Sequence, residues 1–178
     1  MHKSRILGTI HTDSDAPMTL PMTLDAYDRR LLDALQHDGA LTNGALSDIV
    51  NLSPSQCSRR RAALEQAGLI KGYRAQLNAK KLGFGLRAFV RVDLTAHRKQ
   101  DDLDFTSWLD DQPEVLNAFS VSGDADYVLE VRVRDLDTFS EFVHERLLIQ
   151  PQVNRIRSDF VLKTLKDDGA LDLTRSDP

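Results

Sequence analysis

Residues 46–73, LSDIVNLSPSQCSRRRAALEQAGLIKGY, read as two short helices joined by a tight polar turn. The second helix opens with Ser53-Pro54-Ser55-Gln56. A serine can cap the first free amides, proline suits the first helical position, and a glutamine three residues on can bond back to the cap. Arg59, Arg60 and Arg61 follow within two turns. A short capped helix with small polar side chains at its amino end and arginines behind them has the chemistry that major-groove reading requires.

Upstream, Asp25 with Asp28 three positions on announces a first helix, whose apolar stripe is Leu31, Leu32 and Leu35 and whose end is Asp38-Gly39. A second helix is expected from about Asn43 to Val50, capped by Thr42, with Leu46, Ile49 and Val50 inward. Asn51-Leu52 turns the chain into the Ser53 helix, and Gly68 can take the left-handed conformation that ends it. Leu69 to Leu77 reads as extended. Residues 1–22 have no helical or strand period and contain Pro17 and Pro21, so a flexible tail is expected. Met18 and Met22 leave the start of translation open among Met1, Met18 and Met22.

Downstream the period changes. Phe84, Leu86, Ala88, Val90, Val92 and Leu94 alternate with more polar positions, which marks a half-buried strand. Asp102 to Leu109 reads as a helix, Val115 to Val121 as a strand, and Ser122-Gly123-Asp124-Ala125-Asp126 as a turn. Tyr127, Leu129, Val131 and Val133 alternate in a third strand. Asp135 to Leu148 is expected as one helix, with Asp137 its cap, and Val153 to Leu162 as the last strand. This order is βαββαβ, a split ferredoxin-like arrangement with one sheet face open. Phe89, Val128 and Val161 fall on that open face among charges, which points to a second subunit against it.

Composition bounds the function. A 41% hydrophobic and 28% charged chain suits a soluble, packed protein, and no apolar run approaches the roughly 20 residues of a membrane span. Residues 1–22 lack a secretory signal, and Cys57, the only cysteine, fits a reducing compartment and serves as small core filler; cytoplasm is expected. The net charge of −4 conceals an asymmetry: +3 over residues 1–81 and −7 over 82–178. Seven basic residues within 59–81 stand against Glu65 alone, a local +6 that can attract phosphate because screening makes the effect local. The five histidines form no metal-ligand spacing, there is no CxxC, and Gly83-Phe84-Gly85 lacks the rest of a nucleotide loop. No enzyme activity, cofactor or metal is expected.

Several pieces in this order resemble the Lrp/AsnC (feast/famine) family of transcription regulators. They are Leu24-Asp25, Asp28-Arg29, Leu31-Leu32, Leu35-Gln36 and Asp38-Gly39, then Leu52-Ser53-Pro54, Cys57, Leu64-Glu65, Gly68-Leu69-Ile70 and Gly72-Tyr73, and finally Val121 to Tyr127. The resemblance covers roughly residues 24–166. It implies an α+β chain: a winged helix-turn-helix domain (23–72), a linker strand (73–83) and a ferredoxin-like ligand-binding and oligomerisation domain (84–166); outside it, the aperiodic residues 1–22 and the acidic, Gly-containing residues 167–178 are expected to be loose tails. It further implies dimers through the sheets, octamers or other rings, and an amino acid or related small molecule as effector near the Gly-Asp-x-Asp-Tyr turn.

The candidate DNA contacts are Thr42, Asn43, Ser53, Ser55, Gln56, Arg59 and Arg60. Glutamine can bond adenine and arginine guanine through two hydrogen bonds each, while Ser53 and free first-turn amides can hold phosphate. Ser53 and Gln56 can also act as caps alone. Arg61 departs from the family pattern, since with Cys57 and Leu64 it falls on the inward face; its stem is expected to cover the core edge while its guanidinium escapes or pairs. The effector candidates are Gly123, Asp124, Asp126 and Tyr127, where carboxylates can pair with an α-ammonium group and glycine lets a ligand approach the backbone. A plain turn is the competing reading. Two other functions fit the same fold: a sirohaem decarboxylase-like enzyme, which would orphan the DNA helix, and an oligomeric amino-acid sensor without DNA binding. A steep loss of duplex binding with salt separates the regulator from both.

Overall fold

A computed structural model of the chain describes residues 23–95, 98–167 and 169–173. The tail expected over 1–22, with Met18 and Met22, lies outside the described residues, as does the end of the chain from 174. The described chain forms two compact units: a helical one through Gln76 that also takes in the segment from Leu165, and a sheet unit over Leu77–Thr164. The division at Gln76/Leu77 falls inside the expected linker. No described helix is long and apolar enough to cross a membrane.

The helical unit contains α1 (Ala26–His37), α2 (Asn43–Val50) and α3 (Pro54–Gln66). Each begins where a side chain can satisfy free amides. Asp25 and Asp28 form a reciprocal capping box, Thr42 accepts from Ala45 N–H, and Ser53 and Gln56 form a second box with Pro54 behind the cap. Asn51 (φ 57°) makes the turn between α2 and α3, and Gly68 (φ 71°) ends α3. Leu31, Leu35, Leu46, Val50, Cys57 and Leu64 are buried together, with Leu24, Leu41, Leu52 and Ile70 at the margin. Ile49, expected inward, is half exposed, because α2 turns only Leu46 and Val50 toward the other helices.

The sheet unit contains β1 (Leu86–Leu94), α4 (Lys99–Asp110), β2 (Val115–Ser120), β3 (Tyr127–Val133), α5 (Leu136–Glu141) and β4 (Val153–Phe160). The strands lie in the order β2-β3-β1-β4 with every neighbouring pair antiparallel. Alternation sends Ala88, Val90, Val92 and Leu94 of β1, and Tyr127, Leu129, Val131 and Val133 of β3, against Phe105, Leu109, Phe139, Phe142 and Leu147 of the helices. On the open face Arg87 pairs with Glu130 at 2.7 Å, and Asn117 donates to the same carboxylate from β2.

Three expectations need correction. The linker strand over 73–83 is not formed: residues 71–78 run without a ladder and 79–83 turn, since no described strand lies alongside to supply the hydrogen bonds that define one. The helix expected over 135–148 is α-helical only to Glu141 and continues as a π-helix over Phe142–Leu147, which turns Phe142, Val143 and Leu147 all into the core. Its cap is Asp135, whose carboxylate accepts from Thr138 N–H, not Asp137. Within the C-terminal segment, Leu171 bonds to Gln36 of α1 through both its backbone groups.

Candidate nucleic-acid interface and effector turn

At about 100° per residue, α3 divides into a core face, an opposite face and two flanks. Cys57 and Leu64 point into the helical core. Ser55, Arg59, Ala62 and Gln66, spaced i, i+4, i+7 and i+11, form an exposed stripe on the opposite side, with Ser58 beside it. Ser58, Ala62 and Gln66 were not among the sequence candidates, although the helical period alone places them there. At the amino end Ser53 Oγ accepts from Gln56 N–H at 3.3 Å and lies 3.1 Å from Ser55 Oγ, while Gln56 Oε1 accepts from Ser53 N–H at 3.0 Å. The Gln56 amide group is thus folded back on the cap, and all three side chains remain exposed.

The three arginines go to three different places. Arg59 is exposed on the stripe with no ion pair among the described residues. Arg60 leans to one flank, where its Nη1 meets Asp28 Oδ1 at 2.7 Å and Asp25 Oδ2 at 2.8 Å, and its guanidinium lies over the Tyr27 ring. The paired carboxylates raise the Arg60 pKa, led by the hydrogen bond to Asp28. The Asp25 carboxyl is held below its usual range by the Asp28 backbone amide and then by Arg60. Arg61 leans to the other flank. Its Nε donates to Tyr73 Oη at 2.8 Å and Glu65 Oε1 at 3.2 Å, its Nη1 to Leu41 O at 3.0 Å, and its guanidinium sits 4.4 Å from the Tyr73 ring centroid. Its charge pairs with Glu65, one of the two outcomes expected for its guanidinium. Arg60 and Arg61 therefore clamp α3 on both sides, and any new contact by the Arg60 guanidinium would have to break two ion pairs.

The outward basic surface of the helical unit is correspondingly smaller than the local +6. Lys80 and Lys81 belong to the sheet unit, and Arg59, Lys71 and Arg74 remain exposed in the helical one. Thr42 is exposed at the start of α2, where its Oγ1 caps Ala45 N–H at 3.2 Å. Asn43, half-buried beside it, has an Oδ1 with no hydrogen-bond partner.

The four effector candidates separate in the same way. Gly123 and Asp124 are exposed, and a Cβ added at Gly123 would meet nothing within 4 Å. Asp126 is engaged: its Oδ2 accepts from Leu94 N–H at 2.7 Å, its N–H donates to Val92 O, and its carbonyl accepts from Val121 N–H. It closes the turn onto β1 where the β1–β4 register shifts. Tyr127 faces the helix side of the sheet, its ring 5.2 Å from Phe105 and its hydroxyl 3.4 Å from Asp102 Oδ1. Burial, then Asp102, pushes its pKa up.

Residues 24–71 match the model of a winged helix-turn-helix DNA-binding domain, and residues 87–171 that of the Lrp/AsnC ligand-binding domain. The leucine-responsive regulatory protein of Rhizobium meliloti (strain 1021) is 37% identical over 150 residues, covering 84% of this chain and 96% of the relative. The transcriptional regulatory protein DoeX of Halomonas elongata is 34% identical, covering 84% of this chain and 94% of the relative. A transcriptional regulator of Neisseria meningitidis, solved in complex with L-Met, superposes with a TM-score of 0.82 at 41% identity, covering 85% of this chain and 97% of that one. A helix-turn-helix followed by an antiparallel βαββαβ sheet, each matched in that order and together spanning most of the sequence, places this chain in the Lrp/AsnC family of transcriptional regulators.

Proposed function

We propose that this chain binds duplex DNA sequence-specifically through α3 and adjusts transcription in response to an amino acid or a related small molecule. The exposed stripe of α3, with unpaired Arg59 behind a capped amino end, carries the reading. Ser55 and Arg59 read base edges, Ser53 and the first-turn amides hold a phosphate, and Thr42 and Asn43 add backbone contacts from α2. Gln56 contributes through whatever part of its amide the cap leaves to DNA. Arg60 is assigned to holding α3 on α1. Two copies joined through the open sheet face present two such helices to successive major grooves, and further assembly into an octamer or other ring lets one protein engage a longer site. The protein acts without catalysis, in the cytoplasm.

The effector site lies at the Gly123–Asp126 turn, where Asp124 offers a carboxylate to an α-ammonium group while Asp126 and Tyr127 hold the shape. An effector shifts DNA affinity only through a difference in its affinity for two states of the protein. The Neisseria relative's L-Met complex makes L-Met the first ligand to test. Thermal-shift screening of the twenty amino acids tests the effector reading, since a true ligand raises stability by mass action. Arg59→Ala tests the DNA reading: operator affinity should fall about tenfold or more with oligomer size unchanged, and unaltered affinity overturns the assignment of α3.

A further inference from the structure

Gln36, at the carboxyl end of α1, binds one residue of this chain's own C-terminal segment. Its Oε1 accepts from Leu171 N–H at 2.9 Å and its Nε2 donates to Leu171 O at 2.9 Å. Nε2 also donates to Asp33 Oδ1 at 2.9 Å. A carboxylate can only accept when ionised, so Asp33 fixes which end of the amide faces it, and the remaining donor and acceptor then match the C=O and N–H of one residue. The arrangement copies one rung of a β-ladder and recognises backbone rather than side chain; Leu171 itself is largely exposed. The two partners are 135 positions apart.

The segment so held changes the charge of the unit that holds it. Residues 23–76 carry seven basic and six acidic side chains, a net +1. Residues 165–173 carry Lys166 against Asp167, Asp168 and Asp172, a net −2. The segment adds negative charge, with Asp167 and Asp172 among the described residues, to the unit that carries α3. Phosphate attraction depends on charge within roughly 10 Å at physiological screening, so where Asp167 and Asp172 are held matters as well as the charge they carry.

We propose that residues 165–173 form an intramolecular strap, docked on α1 through the Gln36–Leu171 clamp, which lowers the affinity of the helix-turn-helix domain for DNA. This rests on the DNA-binding reading above.

Two full-length variants separate position from charge. Gln36→Met keeps helix propensity and every charge but removes the clamp. Asp167→Asn/Asp168→Asn/Asp172→Asn keeps the backbone clamp but removes the charge. Binding to a 30-base-pair duplex of arbitrary sequence should tighten at least about threefold for either variant at low salt, with the gain shrinking as salt rises. Adding Gln36→Met to the triple variant should give no further gain, because an uncharged strap has nothing left to withhold. Hydrogen exchange supplies an independent reading: the Leu171 amide should be protected in the parent chain and exchange freely in Gln36→Met. Tightening by the triple variant with none from Gln36→Met overturns the strap, as does an unprotected Leu171 amide in the parent. Absence of any duplex binding by the parent, at any salt, would instead overturn the DNA-binding reading.

Discussion

Arg60 Nη1 donates to Asp28 Oδ1 at 2.7 Å, joining α3 to α1 across 32 positions of sequence. The Asp28 side chain is nearly buried, at 9% exposure, so removing its cation leaves a carboxylate with little solvent. Breaking a fully buried pair costs about 3–5 kcal/mol, and Arg60 keeps part of its side chain in water, so Arg60→Met should cost less, about 1–2 kcal/mol. Thermal denaturation should show a Tm lower by several degrees. An unchanged Tm together with weakened DNA binding would return Arg60 to the DNA-contacting set.

Acid should loosen the same joint. The Asp25 carboxyl is held below its usual range by the Asp28 amide and by Arg60, so over that interval the folded chain binds fewer protons than the unfolded one. Its contribution is therefore present above the ordinary carboxylate pKa of about 4 and is lost as pH falls through the depressed folded value. Asp25→Asn keeps a capping side chain without the charge, and its stability should change less between pH 5 and pH 2 than that of the parent. Identical acid profiles for the two chains would remove Asp25 from this role.

What was legible in the sequence follows from how far apart the cooperating groups lie. The caps at Asp25, Thr42 and Ser53 find their partners three residues away, so local pattern alone locates all three helix starts. The strand alternation that located β3 also places Tyr127 on the same inward face as Leu129 and Val131, and its position in the core could have been read from that period. The bonds of Arg60 to Asp28, Arg61 to Leu41 and Gln36 to Leu171 span 32, 20 and 135 positions, and no local pattern announces them. Nor can a segment be recognised as a strand from its own residues when the hydrogen bonds must come from elsewhere, as residues 73–83 illustrate.

The Arg61–Tyr73 joint should set how firmly α3 is held on its second flank. Tyr73 Oη takes a hydrogen bond from Arg61 and donates to Glu65 Oε1 at 2.9 Å, and burial followed by the Glu65 bond raises its pKa. Its ring also lies 3.0 Å from where a Gly39 Cβ would stand. Tyr73→Phe keeps the ring under the guanidinium but removes the hydroxyl, and should cost about 1 kcal/mol. Arg61→Lys loses the planar fork that reaches Tyr73, Glu65 and Leu41 together, and should cost more than Tyr73→Phe. Equal stability of the parent and both variants in urea denaturation would mean that the joint contributes nothing to holding the helix.

Gly123 and Asp126 should respond to substitution in opposite ways although only two residues separate them. Gly123 lies outside the positive-φ region and has open space around it, so Gly123→Ala should leave stability within about 0.5 kcal/mol of the parent. If a ligand approaches the backbone there, as proposed, the added methyl should weaken effector-induced stabilisation without touching the fold. Asp126→Ala removes the acceptor of Leu94 N–H in a partly buried position, which should cost about 1–3 kcal/mol before any ligand is considered. Its effector response must therefore be measured at a temperature where the variant is fully folded. A blunted response in Gly123→Ala with an unchanged Tm would separate ligand contact from turn integrity, which Asp126→Ala alone cannot do. A normal response in Gly123→Ala, across every amino acid that stabilises the parent, would move the effector site away from this turn.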